Sequence, residues 1–462
     1  MKIKKIQSSW LEKNGYRLDC NPYMSGSVEA IATLESISCR KDLLSTLTAG
    51  HDGGIYNGPK FSRTWAKNQK HGVPFMGSAS MQHLDLNQLP LLSKKLASTK
   101  KLSYLEIKPG TTLISCSGTI GRMVYSREDM RGIWSSQHIM KVVPNEEKIN
   151  SGYLFSFLNS KYGVPLVVSG TYGSIIQSIE PKHIKDVPVP RLGLELERKV
   201  HNLVKAAADL RVEASKKLSK VSDIFDQHLP KDNYSYPKVT AVGSRSIQSR
   251  FDAQFHDPEV SKIKTNISSI AHVSIGEWCH KIFLPGIFKR IHIDTLEHGA
   301  YYYTGAALFT LEPQPKGILS RQTSKFGEVY LEKGMILVQA FGQDGGLTGR
   351  SVWVGEHLDK QTTTHMLVRL QSDNLKKDAF LFGFLQSDLA YKQIACLTYG
   401  GSIPHFDEAG ISTVLMPLFD ENTFNQIADD VLWAVDARDR ALENEKRARR
   451  LVEEAIDEMV AG

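Results

Sequence analysis

A strongly basic interval between residues 60 and 101 carries the side chains with the most informative chemistry. It holds eight lysines and arginines and a single acid, Asp85. Such a concentration of positive charge can neutralise backbone phosphates, which supply the part of nucleic-acid affinity that does not depend on sequence. A solvated basic surface is the equal alternative for any single lysine. The cations predicted to contact DNA here are Lys60, Arg63, Lys67, Lys70, Lys94 and Lys95.

Residues that can read base edges lie between these cations. Amide side chains, arginine and lysine make the paired hydrogen bonds that distinguish one base from another. The base-reading positions predicted in this interval are Asn68, Ser78, Ser80, Gln82 and His83. The second half of the chain offers a similar predicted set, which comprises Lys289, Arg290, Arg321, Gln322 and Lys325.

Much of the chain is repeated at an offset of 227 or 228 residues. The segment from Tyr153 to Ser160 (YLFSFLNS) returns from Phe380 to Ser387 (FLFGFLQS). Repeats of 20–50 residues signal solenoids, whereas a repeat of half the chain indicates two copies of one functional module. A duplicated module is most useful when its ligand has two similar parts, so the repeat predicts a recognition protein. Further matched positions are Arg63 with Arg290, Gly121-Arg122 with Gly349-Arg350, and His138 with His365.

The two copies also differ in an informative way. Positions that maintain structure should match between the copies, whereas positions that determine specificity should differ if the modules read different sequences. The interval from Ser78 to Thr99 matches poorly with its counterpart from Ala306 to Phe326. We therefore expect base contacts in that divergent interval.

Composition fits a protein with two or more globular domains. The chain has 462 residues, of which 41% are hydrophobic and 23% charged, and its formal net charge is +7. A positive balance favours polyanionic partners, although many proteins with neutral ligands share it. No apolar run approaches the ~20 residues of a membrane span, and the first residues do not resemble a signal peptide. Five scattered cysteines without a Cys-x-x-Cys pair favour reduced thiols, so a cytoplasmic location is expected.

Four segments are predicted along the chain. Short β-rich runs between Gly, Pro and Asn indicate a mixed α/β (α+β) domain over residues 1–190 and a second one over 231–418. Each domain ends at prolines and is followed by a long helix, over 191–230 and 419–462 respectively. The predicted fold class is therefore α/β, with two homologous domains in tandem.

The two long helices are predicted from apolar residues that recur at spacings of three and four. Helices of this length with a single apolar seam need a partner. We expect them to pack on each other as an antiparallel coiled coil with pseudo-twofold symmetry. Arg438 and Glu445 interrupt the second seam. The first seam comprises Leu196, Val200, Leu203, Ala207, Leu210, Ala214, Leu218, Val221 and Phe225, and the second comprises Phe424, Ile427, Val431, Val435, Leu442, Val452, Ala455, Ile456 and Met459.

The usual signatures of catalysis are absent from the sequence. It has no phosphate-binding Gly-rich loop, no Gly-x-Ser-x-Gly elbow and no His-Glu-x-x-His helix. Asn21-Pro22-Tyr23 is a partial match to an adenine-methyltransferase motif, and Asp85 with Glu106 and Lys108 is a weak match to a nuclease metal site. Two alternatives stay open: a DNA-cleaving or DNA-modifying enzyme with an unrecognised centre, and a scaffold that binds something other than DNA.

Four short motifs occur in the same order in both halves. Together they resemble the specificity subunit of type I restriction-modification systems over nearly the whole chain. In the second copy the Gly-Thr-Ile-Gly-Arg element is altered to Gly346–Arg350 and is preceded by a glycine-rich insertion. The first-copy elements are Arg17-Leu18-Asp19, Pro59–Arg63, Gly118–Arg122 and Tyr172–Ile175, and their counterparts include Arg250-Phe251-Asp252 and Pro285–Arg290.

The resemblance implies a specific division of labour. Each α/β domain would be a target recognition domain that reads one half of an asymmetric, bipartite DNA site. The helices would fix the spacer and dock two methylation subunits, and restriction subunits would complete the assembly. The chain itself would be non-catalytic and without a cofactor, because S-adenosylmethionine, ATP and Mg²⁺ would belong to the partner subunits. The predicted DNA contacts also include residues in or near the motifs, namely Arg122, Tyr172, Gln343, Arg350 and Tyr399.

Overall fold

The structure, a computed structural model, divides into two compact units. The first unit comprises Met1–Val212 and Arg440–Gly462, and the second comprises Glu213–Asp439. Arg17, Asp19 and the element from Tyr172 to Ile175 lie outside the described residues, and so does the predicted DNA contact Tyr172. The residues that the structure describes are 3–13, 16, 18, 20–171, 177–228, 241–247, 250–343 and 345–462.

The first unit contains a four-stranded antiparallel sheet, a smaller mixed sheet and an isolated strand pair. The four-stranded sheet has the order β2-β8-β5-β6, the smaller sheet the order β4-β3-β7, and β1 pairs with β9. Among the described strands of this unit, only the β3–β7 pair is parallel. The strands are β1 (Lys41–Leu43), β2 (Ile55–Tyr56), β3 (Gly72–Met76), β4 (Leu91–Ser93), β5 (Thr112–Ser115), β6 (Met123–Tyr125), β7 (Trp134–Ser135), β8 (Ile139–Val142) and β9 (Pro188–Pro190).

The helices of the first unit pack around these strands. Every residue of α5 is buried, so the repeated Phe/Leu-rich segment is a core helix. Its side chains belong to one hydrophobic core together with residues from the sheet and from both long helices. The helices up to the first long one are α1 (Ser8–Lys13), α2 (Asn21–Met24), α3 (Ser27–Ser36), α4 (Lys94–Ala97), α5 (Ser151–Leu158), α6 (Gly163–Ser169) and α7 (Leu194–His228).

The second unit has matching sheets and a matching core helix. The strands are β10 (His272–Ser274), β11 (Lys281–Phe283), β12 (His292–Ile293), β13 (Gly299–Tyr303), β14 (Gly317–Ser320), β15 (Ile336–Gln339), β16 (Ser351–Trp353), β17 (Thr362–Thr363), β18 (Leu367–Gln371) and β19 (Leu415–Pro417). The helices are α8 (Pro258–Ser268), α9 (Ile275–Trp278), α10 (Gly305–Leu308), α11 (Phe326–Val329), α12 (Leu375–Leu385), α13 (Asp388–Ala395), α14 (Glu408–Ser412) and α15 (Glu421–Ala461).

The duplication extends to the pairing register of the strands. Gly72 pairs with Ser93 in the first unit, and Gly299 pairs with Ser320 in the second, so both partners shift by 227 residues. The larger sheet keeps its order as β11-β18-β15-β16. The smaller sheet gains β12, and the equivalent segment of the first unit makes a single bridge from Trp65 to Leu92. The predicted mixed α/β fold with a tandem repeat is therefore confirmed.

Both predicted long helices form without interruption, over 35 residues in α7 and 41 residues in α15. In the first unit the early part of α7 and the last part of α15 share one hydrophobic core. Arg211 pairs there with Glu445, whereas further along α7, in the second unit, Lys217 pairs with Asp430. Successive partners thus run backwards along α15, as in an antiparallel pair.

The seam between the helices is richer in alanine than the sequence pattern predicted. Five alanines of α15 that the predicted seam omits are fully buried, namely Ala428, Ala434, Ala437, Ala441 and Ala448. Met459, which the prediction placed on the seam, is 37% exposed because it lies in the last turn. Alanine contributes little apolar area, but its small side chain permits close approach of two helices, so its burial is not evident from a hydrophobic pattern.

Candidate nucleic-acid interface

An exposed arginine of the first unit lies over an aromatic cluster beside β3. The Arg63 guanidinium carbon is 5.3 Å from the centroid of the Phe75 ring. Phe61 and Trp65 meet the same ring edge-on, at centroid distances of 6.1 and 5.7 Å. Since alternate residues of an extended chain project from one face, the spacing of Phe61, Arg63 and Trp65 explains why all three reach Phe75.

The second unit builds the same arrangement from equivalent positions. The Arg290 guanidinium carbon lies 5.5 Å from the Phe288 centroid and 5.4 Å from the Tyr302 centroid. Arg290 Nε also donates a hydrogen bond of 2.7 Å to the Tyr302 hydroxyl. His292 meets the Tyr302 ring edge-on at 5.8 Å. We call each arginine with its rings an arginine platform: Phe61, Arg63, Trp65 and Phe75 in the first unit, and Phe288, Arg290, His292 and Tyr302 in the second.

An arginine platform has chemistry suited to DNA. Stacking on a ring fixes the guanidinium plane and leaves some of its five N–H donors directed outward. Those donors can meet a phosphate or the two acceptors on a guanine edge. Both platform arginines are exposed, so their free donors face solvent.

In each unit a loop lies beside the platform arginine. It is the loop before β8 in the first unit and the loop before β18 in the second. Arg63 Nη2 donates to Gln137 Oε1 at 3.3 Å. Backbone hydrogen bonds show which residues of the two loops correspond. Cys116 N, directly after β5, donates to His138 O, and Ala340 N, directly after β15, donates to Met366 O, so His138 corresponds to Met366. Gln137 therefore corresponds to His365. The predicted match of His138 with His365 is wrong by one residue, because the two loops align at an offset of 228.

Both histidines near the platforms are half-buried, and their pKa values are lowered. Burial lowers the pKa of His138, and the positive charges of Arg63 and Lys60 lower it further. Burial also lowers the pKa of His365, with additional contributions from Arg290 and Arg369. Both rings are therefore mainly neutral at pH 7, and a neutral ring offers one donor and one acceptor.

A buried cation lies below each of these loops, at the same position of the larger sheet. Lys141 pairs across β2 with Tyr56, and Arg369 pairs across β11 with Phe283. Each cation lies over the ring of that partner, with Lys141 Nζ at 5.4 Å and Arg369 Cζ at 5.7 Å from the centroid. Both residues are 1% exposed. No carboxylate forms an ion pair with either cation within the described part of the chain.

Burial has a different consequence for the two cations. It lowers the pKa of Lys141 to about 7, so this amine titrates near neutrality. The pKa of Arg369 is lowered to about 9, so the guanidinium stays charged at neutral pH. Lys141 donates to Ser135 Oγ, whereas Arg369 donates to two backbone carbonyls, of Thr364 and Leu367. Lys141 thus holds a side chain at the base of its loop, whereas Arg369 holds the backbone at the base of its loop.

A cavity of about 200 Å³ opens beside Arg290 in the second unit. Two cations, Arg290 and Lys316, contribute to its walls, and this charge favours an anionic ligand such as a phosphate. At the repeat offset Lys316 corresponds to Leu89, so the first unit has no matching cation at that position. The other side chains around the cavity include His292, Tyr302, Thr304, Thr364 and Met366.

The cations predicted from the sequence are surface residues. No acid pairs with any of the six lysines and arginines predicted between residues 60 and 95, as far as the described ranges show. In the second unit Lys289 and Arg321 are exposed, Arg321 lies over the Phe326 ring at 5.7 Å, and Lys325 is 3.7 Å from Glu328. Lys94 and Arg321 occupy equivalent places, because their backbone N–H groups bond the carbonyls of His71 and His298.

Several predicted base-reading side chains have intramolecular partners. The Ser80 hydroxyl accepts from Gly77 N and donates to Gly77 O, and Gln82 Nε2 donates to Met123 O at 3.2 Å. His83 is half-buried, and burial lowers its pKa. The positions of Asn68, Ser78 and Gln322 are on or near the surface. A base contact by Ser80 or Gln82 would replace a hydrogen bond that the fold already uses.

The predicted residues in the motif loops differ in whether they are exposed or already have partners within the unit. Arg122 is exposed, whereas its counterpart Arg350 stacks on Tyr391, with 3.5 Å between the guanidinium carbon and the ring centroid. Gln343 Nε2 donates to Ser402 O at 2.9 Å, which joins the glycine-rich insertion to the loop after Tyr399. Tyr399 is 41% exposed, and its hydroxyl donates to Asp407.

The Arg-x-Asp motif of the second unit has a structural task that the sequence did not reveal. Arg250 is paired with Asp252 and donates hydrogen bonds of 2.7 Å to the carbonyls of Leu397 and Thr398. Its guanidinium carbon lies 5.6 Å from the Tyr399 centroid. Two motifs that are almost 150 residues apart in sequence therefore meet, and one holds the other in place.

Sequence reasoning missed Gln137, Lys141, Lys316 and Arg369. A signal was present for the buried pair, since Lys141 and Arg369 interrupt otherwise apolar strands at matched positions of the repeat. Among the described residues no group of three or more His, Cys, Asp or Glu side chains is placed to hold a metal ion. Within the same ranges no helix is both long and apolar enough to cross a membrane.

Comparison with known proteins assigns the first domain. Residues 53–190 match the family described as the type I restriction modification DNA specificity domain. The S subunit of a type I restriction-modification system from M. genitalium is 13% identical, with 92% of this chain and 95% of that chain covered at a TM-score of 0.27. The HsdS subunit from Thermoanaerobacter tengcongensis is 14% identical, with 92% and 96% covered at a TM-score of 0.28. No curated protein sequence matches the chain.

The assignment depends on the domain match and on the internal repeat, not on these low TM-scores. The matched segment holds the first arginine platform and all strands from β3 to β9. The second unit repeats the order of those strands and their pairing register, and it holds the second platform. Residues 53–190 therefore match the type I restriction modification DNA specificity domain, and the second unit repeats the strand order and pairing register of that matched domain.

Proposed function

We propose that the chain recognises a bipartite, asymmetric DNA site through two target recognition domains, over residues 1–190 and 231–418. The observation that carries this proposal is the pair of arginine platforms. Their central arginines and the Phe61/Phe288 rings are the same in both units, while the neighbouring side chains differ. Two similar sites with different surroundings are what a DNA target with two unlike halves requires.

Electrostatics support the proposal. The first platform adjoins a surface of cations to which no described acid is paired, and the second adjoins a cavity with two cations. Unpaired surface cations can exchange their counterions for DNA phosphates, so affinity should fall steeply as salt concentration increases. An arginine that is already stacked loses less conformational freedom on binding than a mobile one.

The proposal predicts a loss of DNA binding when either platform arginine is removed. In Arg63→Ala and Arg290→Ala variants we expect affinity for the chain's own target to fall by about 5- to 150-fold, since a good arginine contact to a base is worth roughly 1–3 kcal/mol. The target is defined first by selecting duplexes from a random library with the unmodified full chain. Affinity is then measured by fluorescence anisotropy at several salt concentrations.

Arg450→Ala provides the matched control, because Arg450 is an exposed arginine on α15 that pairs with Glu443. It should leave DNA affinity unchanged. Full affinity in both platform variants would remove these arginines from the interface. Failure of the unmodified chain to enrich any sequence would contradict DNA recognition itself.

The catalytic steps are assigned to partner subunits in this proposal. The chain would act without a cofactor in the cytoplasm, and two methylation subunits and the restriction subunits would carry S-adenosylmethionine, ATP and Mg²⁺. Incubation of the purified chain alone with DNA, Mg²⁺ and S-adenosylmethionine should give neither cleavage nor methylation. Turnover in that assay would favour the alternative of a DNA-modifying enzyme.

The long helices are proposed to set the spacer between the half-sites. At ~1.5 Å per residue, α7 and α15 are rods of roughly 50 and 60 Å, a scale of one to two turns of B-DNA. Removing one helical turn from both helices should shorten the spacer in the selected sequences. A spacer of unchanged length would contradict this role.

A further inference from the structure

The loop before β8 and the loop before β18 present a different polar side chain beside the same arginine. We call these the tip loops, with residues Ser136–His138 in the first unit and Thr364–Met366 in the second. Gln137 and His365 occupy equivalent positions in them, as the backbone hydrogen bonds of Cys116 and Ala340 show. Neither residue lies in the divergent interval in which the sequence predicted base contacts.

In the first unit the tip loop is joined directly to the platform. Gln137 Oε1 accepts the hydrogen bond from Arg63, and Gln137 Nε2 lies 3.1 Å from His138 Nε2. Gln137 is half-buried, and Arg63 is exposed. The amide is therefore oriented by its neighbours while part of it still faces solvent.

In the second unit the tip loop brings a histidine to the same place. The His365 ring lies 6.1 Å from the rings of both Phe288 and Phe341. Its Nδ1 is buried and has no hydrogen-bond partner among the residues that the structure describes. Because Nδ1 is buried, Nε2 is the nitrogen left to exchange a hydrogen bond with a ligand, and the ring is mainly neutral for the reasons given above.

Both tip loops are held rigidly by the fold. Ser136 Oγ accepts from His138 N at 3.3 Å, and Thr364 Oγ1 accepts from Met366 N at 3.4 Å. The buried cations hold the loops from below, through Ser135 in one unit and the Thr364 carbonyl in the other. Rigid presentation reduces the entropy lost on binding and raises the discrimination that one side chain can supply.

We propose that Gln137 and His365 are specificity-determining residues, and that each reads a base edge in one half-site next to the contact made by the platform arginine. This rests on the proposed DNA-recognition function. The Gln137 amide has a donor and an acceptor side by side, the pattern that matches an adenine edge. His365 can offer a base a single hydrogen bond, through Nε2. The first half-site should therefore show the stronger base preference at the position concerned.

The hydrogen bonds already made in the divergent interval make it a weaker candidate for base contacts than the tip loops. Ser80 and Gln82 already use their polar atoms in hydrogen bonds to backbone within the unit. Gln137 instead bonds two side chains, Arg63 and His138, and His365 makes no hydrogen bond to backbone through its buried Nδ1. DNA binding at the tip loops would thus replace fewer backbone contacts.

The test exchanges the two residues. Full-length Gln137→His, His365→Gln and Gln137→Met variants are each used to select duplexes from a random double-stranded library, and the enriched sequences are compared with those of the unmodified chain. Gln137→His should change the preferred base in one half-site only, and His365→Gln should change it in the other. Gln137→Met should lower the preference at that position by about ten-fold or more, because the paired hydrogen bonds are lost.

The matched control is Gln69→His, which alters an exposed glutamine in the basic interval and should leave the enriched motif unchanged. Gln82→Met tests the competing location, because Gln82 is a predicted base contact in the divergent interval. Melting curves identify any variant that does not fold, and Gln137→Met, which preserves side-chain size, then provides the test.

The outcomes distinguish the role of the tip loops from DNA recognition itself. An unchanged motif in the Gln137 and His365 variants would overturn the specificity assignment while leaving DNA recognition intact. A single substitution that alters both half-sites would overturn it as well. A motif changed by Gln82→Met but not by the tip-loop variants would place specificity in the divergent interval.

Discussion

The two arginine platforms share a frame and differ in their surroundings. Arg63 lies over the Phe75 ring of β3 and Arg290 over the Tyr302 ring of the equivalent strand β13, and both the arginines and the rings are 227 residues apart. Around them Gln137 is replaced by His365, and Trp65 is replaced by His292. The comparison teaches that duplication fixed the geometry of contact and left the chemistry of the neighbours free to diverge. The buried parts of the two units also differ, in their ion pairs, in their packing and in their buried cations, and each difference can be tested separately.

The largest expected difference between the units concerns the ion pairs that link the long helices. In the first unit Arg211 bonds Glu445 through two hydrogen bonds of 2.7 and 3.2 Å, and its side chain is only 4% exposed. The Lys217 side chain of the second unit is 29% exposed, although its partner Asp430 is about as buried as Glu445, at 15% against 20%. Arg211→Ala should therefore lower the free energy of unfolding by about 3–5 kcal/mol, because it leaves a carboxylate unpaired in the seam.

Urea denaturation measures this effect. Lys217→Ala is the matched variant in the second unit, and we expect it to cost only about 1 kcal/mol. A double variant, Arg211→Leu with Glu445→Leu, should recover most of the lost stability, since an apolar pair can replace a buried ion pair. Equal losses from Arg211→Ala and Lys217→Ala would remove this difference between the units.

A smaller effect is expected where the core helix of each unit approaches the long helices. A methyl group on Gly383 would lie 2.8 Å from Val221 Cγ1 and 3.2 Å from Val431 Cγ2. Gly383→Ala should therefore cost about 1–3 kcal/mol through overpacking. The equivalent residue in the first unit is Ser156, whose buried hydroxyl has no hydrogen-bond partner within the described ranges.

Ser156→Ala is the natural control for Gly383→Ala. It removes an unsatisfied buried oxygen without adding volume, so its stability should be unchanged or slightly higher. Thermal melting of both variants provides the comparison. If Gly383→Ala has the same melting temperature as the unmodified chain, the close packing of α12 against the long helices does not limit stability.

The smallest expected effect is a dependence on pH that distinguishes the two buried cations. The pKa of Lys141 is about 7 in the folded chain, below its ordinary value of about 10.4. Between these values the unfolded state holds a proton that the folded state lacks, so this residue makes stability rise as pH increases from about 7. Arg369 stays protonated at pH 7–8 and contributes no such rise there.

The contribution of Lys141 is measured by subtraction. The free energy of unfolding of Lys141→Met is compared with that of the unmodified chain at pH 6.5 and at pH 8.5, values chosen to lie on the two sides of about 7. The free energy of unfolding of the unmodified chain, relative to that of Lys141→Met, should be larger at the higher pH. An identical difference at both pH values would show that Lys141 remains charged in the folded state.

The sequence was sufficient for the repeat, the two long helices and the mixed α/β class. These features depend on local periodicity and on matching strings of residues, which survive in one dimension. The two platform arginines were also found from the repeat. Their role as DNA contacts remains a prediction, as do those of the surface lysines.

Other features depended on contacts between distant segments. The Arg250 brace and the Gln137–Arg63 bond join residues that are far apart in sequence, and nothing local marks them. The His138 match failed because a one-residue change in offset is invisible without strand register. The alanine seam was missed because close approach, rather than hydrophobicity, determines which small residues are buried.

The division of the chain into units has a genetic consequence. The second unit is one uninterrupted stretch, Glu213–Asp439, whereas the first unit is assembled from two separate stretches. Both boundaries fall inside long helices, where a crossover between related genes preserves the heptad-like pattern and cuts no sheet. A gene exchange with both crossovers in helix-coding DNA would therefore transfer the second recognition module as a complete cassette. Replacing the first module uses the same two crossovers, but the new sequence then lies on both sides of the retained second unit.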